Sequence, residues 1–314
     1  MSNIFSNITK TSSAYAKCAL PNNEFIEKYG IDTTSEWIET MTGITQRYFV
    51  EDISQLEELA TKAAKDVITG IDINSVDGII VASSTSGYNF PGLSQFVHKN
   101  LELKNSARAL DINAACNGFM VALSIADSWI KHDCAENVIV IGAEAMSTIL
   151  DMADRSTCCL FGDGAGAVLL SKSSTRGLLA FEHMVLSQRC DTLIAHKNKH
   201  IAMNGRAVFE NSIKAFEEVI LNALKKADIK LEDVDLFVLH QANARIFQAL
   251  AKKMNLDEAK IPFFAKHFAN TSAATIPMAL TCAEYEKHYA NKTIVLAGFG
   301  AGFTTTASVL SSIR

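Results

Sequence analysis

No stretch of this 314-residue chain is both long enough and free enough of charge to cross a bilayer as a helix, although 48% of its residues are hydrophobic. The opening Met1-Ser2-Asn3-Ile4-Phe5 lacks a basic stretch followed by an apolar one, so no secretory signal is expected, and a cytoplasmic location is. Basic residues are outnumbered, 29 against 34 acidic ones for a formal charge of −5, which argues against a nucleic-acid partner. The same balance gives an acidic protein no overall attraction, so any such contact must rest on a local basic patch. The seven cysteines are scattered and follow neither a disulfide framework nor a metal-site spacing. Cys158 and Cys159 are adjacent, which does not suit a zinc pair of the usual type. The odd count reads as reduced thiols, and no metal is expected. Low-complexity runs and an obvious linker are also lacking, so the length must build one large core or two fused halves.

What is present is an approximate internal duplication. Residues 59–68 read as a helix and 76–82 as a strand; later, 209–228 read as an amphipathic helix and 234–239 as a strand. In the second helix Phe209, Ile213, Phe216, Val219, Ile220 and Leu224 share one face. Residues 137–142 are likewise echoed by 292–298. Strands apolar on both faces belong in sheets covered on both sides. The expectation is an α/β protein of two similar halves, residues 1–172 and 173–314, joined near residues 171–176 and packed as α-β-α-β-α layers.

The candidate nucleophile is Cys116, in Asp111-Ile112-Asn113-Ala114-Ala115-Cys116-Asn117-Gly118-Phe119, between a strand-like run and a very apolar helix. Backbone N–H groups at a helix start are expected to lower a thiol's pKa and raise its reactivity. Gly118 lets the chain turn sharply. An inert buried cysteine is the plainer reading of such a residue alone. Further on, His240 opens a polar cluster, His240-Gln241-Ala242-Asn243, at the end of an apolar strand, where α/β sheets keep their chemistry. Asn270 lies in His267-Phe268-Ala269-Asn270-Thr271-Ser272-Ala273-Ala274-Thr275-Ile276-Pro277. By itself it suits a helix cap or a turn.

Together these segments resemble the β-ketoacyl-acyl carrier protein synthase III family of thiolase-like condensing enzymes. The resemblance extends to Ser35-Glu36-Trp37-Ile38-Glu39-Thr40-Met41-Thr42-Gly43-Ile44, to Arg155 with Phe161-Gly162-Asp163-Gly164-Ala165-Gly166-Ala167, and to Gly298-Phe299-Gly300-Ala301-Gly302-Phe303-Thr304. It implies a duplicated thiolase-like fold, a homodimer, and a Cys116, His240 and Asn270 catalytic set. The reaction implied is a decarboxylative condensation: an acyl thioester primer acylates Cys116, and a malonyl-acyl carrier protein then loses carbon dioxide and attacks it. Coenzyme A and acyl carrier protein thioesters are the implied substrates, with no cofactor. The backbone N–H groups of Cys116 and Ala301 would form the oxyanion hole. Trp37, Phe90, Arg155, Gly205 and Phe299 would contact substrate, and Arg245, Lys252 and Lys253 would dock the carrier.

The chain also departs from that pattern. Met41 stands where the family usually has an arginine expected to sandwich adenine with Trp37, so half of that clamp is expected to be missing. Glu210 replaces a common basic residue, and Ala269 and Ala301 replace glycines. The opening segment lacks the usual Gly-x-Gly-x-x-x-Pro run, and residues 183–201 look shortened. These changes point to an unusual primer or a specialised pathway. Two other readings keep the fold. One is an acyltransferase passing the Cys116 acyl group to a different acceptor; the other is a non-catalytic acyl-binding subunit, which an intact Cys-His-Asn set disfavours.

Overall fold

The computed structural model describes residues 4–197, 199–282 and 292–312. Residues 1–3, part of the segment read for a signal, lie outside them. The main strands, in chain order, are β1 (Phe5–Ala14), β2 (Gly78–Ala82), β3 (Arg108–Ile112), β4 (Asn137–Ala145), β5 (Asp163–Ser173), β6 (Arg176–Val185), β7 (Leu236–Leu239), β8 (Ile294–Gly300) and β9 (Thr304–Ser312). They form two sheets, ordered β1-β5-β4-β2-β3 and β7-β8-β9-β6. In the first, β2 runs parallel to β3 and β4, and β5 is antiparallel to β4 and β1. The second repeats the scheme, with β7 parallel to β8, then β9 antiparallel to β8 and β6.

Each central strand buries both faces. Alternate side chains of β2 and β4 therefore enter different cores. Ile80, Val138 and Val140 point to the inter-sheet core, where they meet Val238, Leu296 and Leu310 of the second sheet. Ile79, Val81, Ile139 and Ile141 point outward, into a core shared with helix α1 (Gln55–Val67) and helix α2 (Leu93–Asn100). On the far side of the molecule, Phe237, Leu239, Val295 and Val309 pack under helix α4 (Gly205–Ala227) and helix α5 (Ala244–Met254). Between the sheets lie helix α3 (Gly118–Lys131) and helix α6 (Thr275–Leu280). The result is the five-layer α-β-α-β-α arrangement.

Helix α3 follows Cys116 and buries Phe119, Met120, Ala122, Leu123, Ala126 and Ile130, so the nucleophile candidate stands on a largely buried support. Helix α4 starts four residues before the sequence reading placed it. The Asn204 side chain accepts from the Ala207 N–H at 3.1 Å, an N-cap that overrides the poor helix propensity of Gly205.

Candidate active site

Two loops bring the chemistry together, each standing before one of the two central helices. The first, Ala115–Asn117, is a single 3₁₀ turn in which Ala115 takes a φ of 47°. This left-handed conformation is uncommon for alanine, and it lifts Cys116 toward the opposite half. The second loop holds Asn270 and ends in the turn Ser272–Ala274, with Ala269 at φ 62° and Ser272 at φ 50°. The first loop meets the second sheet at Gly300, where an added Cβ would lie 3.0 Å from the Cys116 nitrogen and 2.8 Å from that of Asn117. The absence of a side chain there lets the segment leading into Ala301 lie against the Cys116 backbone. The second loop meets the first sheet at Gly142, where a Cβ would fall 2.3 Å from the Ala273 carbonyl oxygen.

Cys116 lies at the junction of two cavities. One, of about 460 Å³, is lined by Cys116, His240, Asn270 and Phe299 at its inner end; Trp37, Arg155, Gly205 and Arg245 are also on its wall. The other, of about 690 Å³, is lined by Cys116, Ser272, Phe161, Met146 and Ala301, and carries His196, Lys197, Lys199 and His200. The hairpin formed by Leu193–Ala195 and Ile201–Met203 separates them, with Leu193 touching both.

Asn270 is clamped across the halves. Its N–H donates to the Leu160 carbonyl at 2.9 Å, and its own carbonyl accepts from the Gly162 N–H at 3.0 Å. The Ser272 N–H donates to Asn270 Oδ1 at 2.9 Å, which fixes the amide and leaves Nδ2 as the donor available to the cavity. His240 is buried, and its Nδ1 faces Thr275 Oγ1 at 2.6 Å, leaving Nε2 for the cavity. The Thr275 hydroxyl has a second acceptor in the Ser272 carbonyl at 3.0 Å. Given to that carbonyl, its proton leaves Oγ1 to accept from Nδ1–H; turned to Nδ1 instead, it places the ring proton on Nε2, the tautomer that can donate to the cavity. Phe299 meets the imidazole edge-on at 5.2 Å and Phe216 at 5.3 Å, making a dry wall.

Burial sets the protonation states. His240 is pushed down to about 3 by desolvation, so it is neutral across the physiological range. The helix-start argument predicts a lowered Cys116 thiol, and the structure reverses it. Burial pushes the thiol up to about 12; a Ser272 hydrogen bond and the local N–H oppose this, and the Glu144 charge adds to it. Desolvation outweighs the helix terminus because Cys116 is only 7% exposed.

The remaining expected contacts divide. The Arg155 guanidinium lies 5.1 Å over the Trp37 ring, steadied by donation to the Asp32 carbonyl at 2.8 Å. The cation facing Trp37 is thus Arg155, and the loss of arginine at position 41 leaves that pairing intact. Met41 lines the cavity and receives the Arg245 guanidinium at 3.9 Å from its sulfur. Arg245 and Lys252 are exposed on one face of α5. Lys253 turns to α4 instead and pairs with Glu217 at 3.0 Å, so its charge is partly neutralised. Glu210 is held by Arg206 at 2.9 Å. Phe90 does not reach either cavity of its own chain: its ring is 88% exposed.

Two residues escaped the sequence reading. Glu144 is wholly buried in β4, and the Ser272 hydroxyl donates to its Oε1 at 3.0 Å. A lone carboxylate inside the apolar run 138–145 was the available signal for the first. Among the described residues no cluster of three or more His, Cys, Asp or Glu side chains is placed to hold a metal ion, and no helix is long and apolar enough to cross a membrane.

Comparisons with known proteins give the family of this chain. The family model for 3-oxoacyl-[acyl-carrier-protein (ACP)] synthase III matches residues 110–185, and that for its C-terminal domain matches residues 224–312. The chain is 43% identical over 289 residues to a β-ketoacyl-[acyl-carrier-protein] synthase III of Ehrlichia canis, covering 87% of this chain and 89% of that protein. It is 39% identical over 304 residues to one of Neorickettsia sennetsu, covering 94% and 97%. The crystal structure of 3-oxoacyl-[acyl-carrier-protein] synthase III from Aquifex aeolicus superposes with a TM-score of 0.92 at 39% identity, over 98% of this chain and 99% of that one. The corresponding Pseudomonas aeruginosa structure gives 0.91 at 30% identity, over 99% of both. With its duplicated fold, its two-cavity site and these relatives together, the chain belongs to the β-ketoacyl-acyl carrier protein synthase III family of condensing enzymes.

Proposed function

We propose that this acyltransferase joins an acyl thioester primer to malonyl-acyl carrier protein through an acyl group held on Cys116, as the initiating condensation of fatty-acid synthesis. The observation that carries the reading is the position of Cys116 between two cavities, with His240 and Asn270 on the wall of one. A thioester whose carbonyl sits at Cys116 has its leaving arm in the first cavity and its acyl group in the second. The first half, residues 1–172, supplies the nucleophile, and the second, residues 173–314, supplies His240 and Asn270.

The reaction divides into two stages. In the first, the Cys116 sulfur attacks the thioester carbonyl. The N–H groups of Cys116 and Ala301 receive the developing oxyanion, an approach that the bare Gly300 favours. In the second, the malonyl group loses carbon dioxide, and negative charge builds on its thioester oxygen. Asn270 Nδ2 and His240 Nε2 donate to that oxygen, and a neutral ring suffices. Phe299 keeps the site dry, which favours loss of the carboxylate.

Coenzyme A and carrier thioesters are the substrates, and this chemistry asks for no cofactor. Trp37 and Arg155 hold the nucleotide, Gly205 borders the arm, and Arg245 with Lys252 receives the carrier. The working form is a cytoplasmic homodimer. A substrate contact by the exposed Phe90 requires that second copy, whose acyl cavity the ring would enter.

Intact-mass measurement after exposure to acyl-CoA and acyl-carrier thioesters tests the reading. One acyl group should appear on the wild-type chain and none on Cys116→Ala. Acylation surviving in that variant rules out Cys116 as the carrier.

A further inference from the structure

A carboxylate lies buried in the apolar strand β4, and neither stage of the reaction uses it. Glu144 is fully enclosed, and among the described residues no Lys, Arg or His side chain pairs with it. An apolar side chain at that depth would cost less. Four donors compensate the burial instead. The Ser84 hydroxyl donates to Oε1 at 2.9 Å, the Ser84 N–H to Oε2 at 3.0 Å, and the Thr85 hydroxyl to Oε2 at 2.5 Å. Thr85 Oγ1 also accepts from the Ala145 N–H at 2.8 Å, which commits its one proton to Glu144. These three come from the loop after β2, in the same half. The fourth crosses from the second half: the Ser272 hydroxyl donates to Oε1 at 3.0 Å.

Alternation along β4 puts Glu144 on the same face as Val138, Val140 and Gly142, the face that looks into the layer between the sheets. There Gly142 admits the Ala273 carbonyl, and Glu144 grips the neighbouring Ser272. Ser272 has a φ of 50°, a conformation that a residue other than glycine keeps only where its surroundings fix it. Contacts lead from Ser272 to both enolate donors. Its N–H donates to Asn270 Oδ1 at 2.9 Å. Its carbonyl oxygen lies 3.0 Å from Thr275 Oγ1, the atom that faces His240 Nδ1 at 2.6 Å. Asn270 and His240 thus rest on one residue, and one carboxylate anchors that residue to the first half.

We propose that Glu144 is a positioning residue for the condensation step: through Ser272 it holds the Asn270 amide and the His240 ring at the spacing that one developing enolate oxygen requires. This deepens the donor role given to those two side chains and rests on it. Two donors converge on one oxygen only if their relative position is fixed. Asn270 and His240 stand on separate segments, the loop before α6 and the end of β7. The bonds to Leu160 and Gly162 fix the Asn270 main chain, but the plane of its amide is left to Ser272. A carboxylate suits the anchoring task because both of its oxygens accept and neither donates, so the Ser272 hydroxyl has one orientation. Glu144 itself touches no substrate. Released from it, Ser272 lets the amide turn and Thr275 drift, and a misplacement of about 1 Å costs on the order of a hundredfold in rate. The loss falls on the second stage, because the enolate forms only there.

Ser272→Ala and Glu144→Gln test this. Acylation from an acyl-CoA is followed by rapid quench and intact mass, and condensation with malonyl-acyl carrier protein is measured on the same preparations. In Ser272→Ala, condensation should fall about 10- to 100-fold further than acylation, and in kcat rather than in KM for the malonyl thioester. Glu144→Gln should lose less, because the Ser272 hydroxyl can turn to accept from the new amide and keep the link. Ser272→Ala should also cost less in an Asn270→Ala background than in the wild type, since part of its effect runs through that amide. Fully multiplicative losses would show that Ser272 acts elsewhere, and the proposal falls. Equal loss in both stages overturns it as well, because general damage to the fold does not choose a stage. A larger loss in Glu144→Gln than in Ser272→Ala would mean that the charge itself acts, again against positioning. Condensation by Ser272→Ala at nearly the wild-type rate is decisive against it, even if the Gln variant does not fold. Normal condensation by both Asn270→Ala and His240→Ala would instead remove the donor role beneath it.

Discussion

The loops before the two central helices are copies of one structural idea put to different chemical use. Each precedes a helix buried between the sheets, each contains at least one left-handed non-glycine residue, and each rests on a glycine of the other half's sheet. The first loop presents a sulfur and a backbone N–H. The second presents an amide, through Asn270, and a hydroxyl, through Ser272. The shared part is the geometry that aims a short loop across the interface. The part that differs is the side chain at its tip. In the proposed reaction the nucleophile and the enolate donors therefore come from different loops, and variants should separate their effects.

The largest separation is expected from His240→Ala and Asn270→Ala. Both should still form acyl-Cys116, since neither belongs to the first loop. Condensation should fall on the order of a hundredfold or more for each, the usual loss for one donor to a developing oxyanion. Single-turnover acylation beside steady-state condensation checks this. A variant that condenses at nearly the normal rate removes that residue from the second stage.

The two glycine contacts sharpen the comparison by leaving the identity of every reacting group unchanged. Gly142→Ala would put a methyl into the Ala273 carbonyl and displace the second loop; Gly300→Ala would press on the Cys116 backbone. Overpacking of this kind costs about 1–3 kcal/mol. The kinetic damage should differ: condensation suffers more in Gly142→Ala, acylation more in Gly300→Ala. Equal damage to both stages in both variants would show that the loops do not act separately.

His240 also ties the comparison to stability. Its folded pKa of about 3 lies below the ordinary value of 6.5, so the unfolded chain binds a proton that the native one does not. Stability from this group is complete above the ordinary value and is lost as pH falls toward the folded one. The slope contributed is up to about 1.4 kcal/mol per pH unit. His240→Gln should flatten the acid limb of a denaturation series by about that much. An unchanged limb would show that the imidazole is not buried neutral.

The parts of the site that could be read from sequence are those with local signatures. Cys116 announces itself by small residues before an apolar helix, and His240 by a polar cluster closing a buried strand. Apolar strands such as residues 137–142 show that both faces are covered, which is enough to predict layered halves. Contacts between distant segments had no such signature. Nothing in the first 50 residues says that Trp37 will face Arg155 rather than position 41. The fate of Lys253 depends on Glu217, on another helix. The direction of the Cys116 shift depends on how deep the loop is driven and on Glu144, which reaches it from a neighbouring strand. Helix-terminus reasoning sees only local backbone, and here burial was the stronger force.

The smallest expected effect concerns the nucleotide end of the first cavity, whose walls again come from different halves. Trp37 and Arg155 belong to the first, Arg245 and Phe209 to the second, with the Arg245 guanidinium 5.7 Å over the Phe209 ring. Both cations are exposed, so neither contact contributes much to the free protein. In the proposed function their value lies in a nucleotide ring or phosphate that replaces water between them. For Arg155 the cation–π part is about 0.5–2 kcal/mol, roughly a 2- to 30-fold rise in KM for acyl-CoA on Arg155→Ala. The kcat should change little, because the contact is remote from the reacting carbonyl and serves ground and transition states alike. Acyl-pantetheine, which has no adenine, should be used equally well by variant and wild type. Met41→Arg gives the complementary measurement. If position 41 were the missing jaw, this substitution would improve acyl-CoA use more than Arg155→Ala impairs it. With Arg155 already over Trp37, it should add only phosphate attraction that fades with salt. A larger, salt-independent gain would return the clamp to position 41.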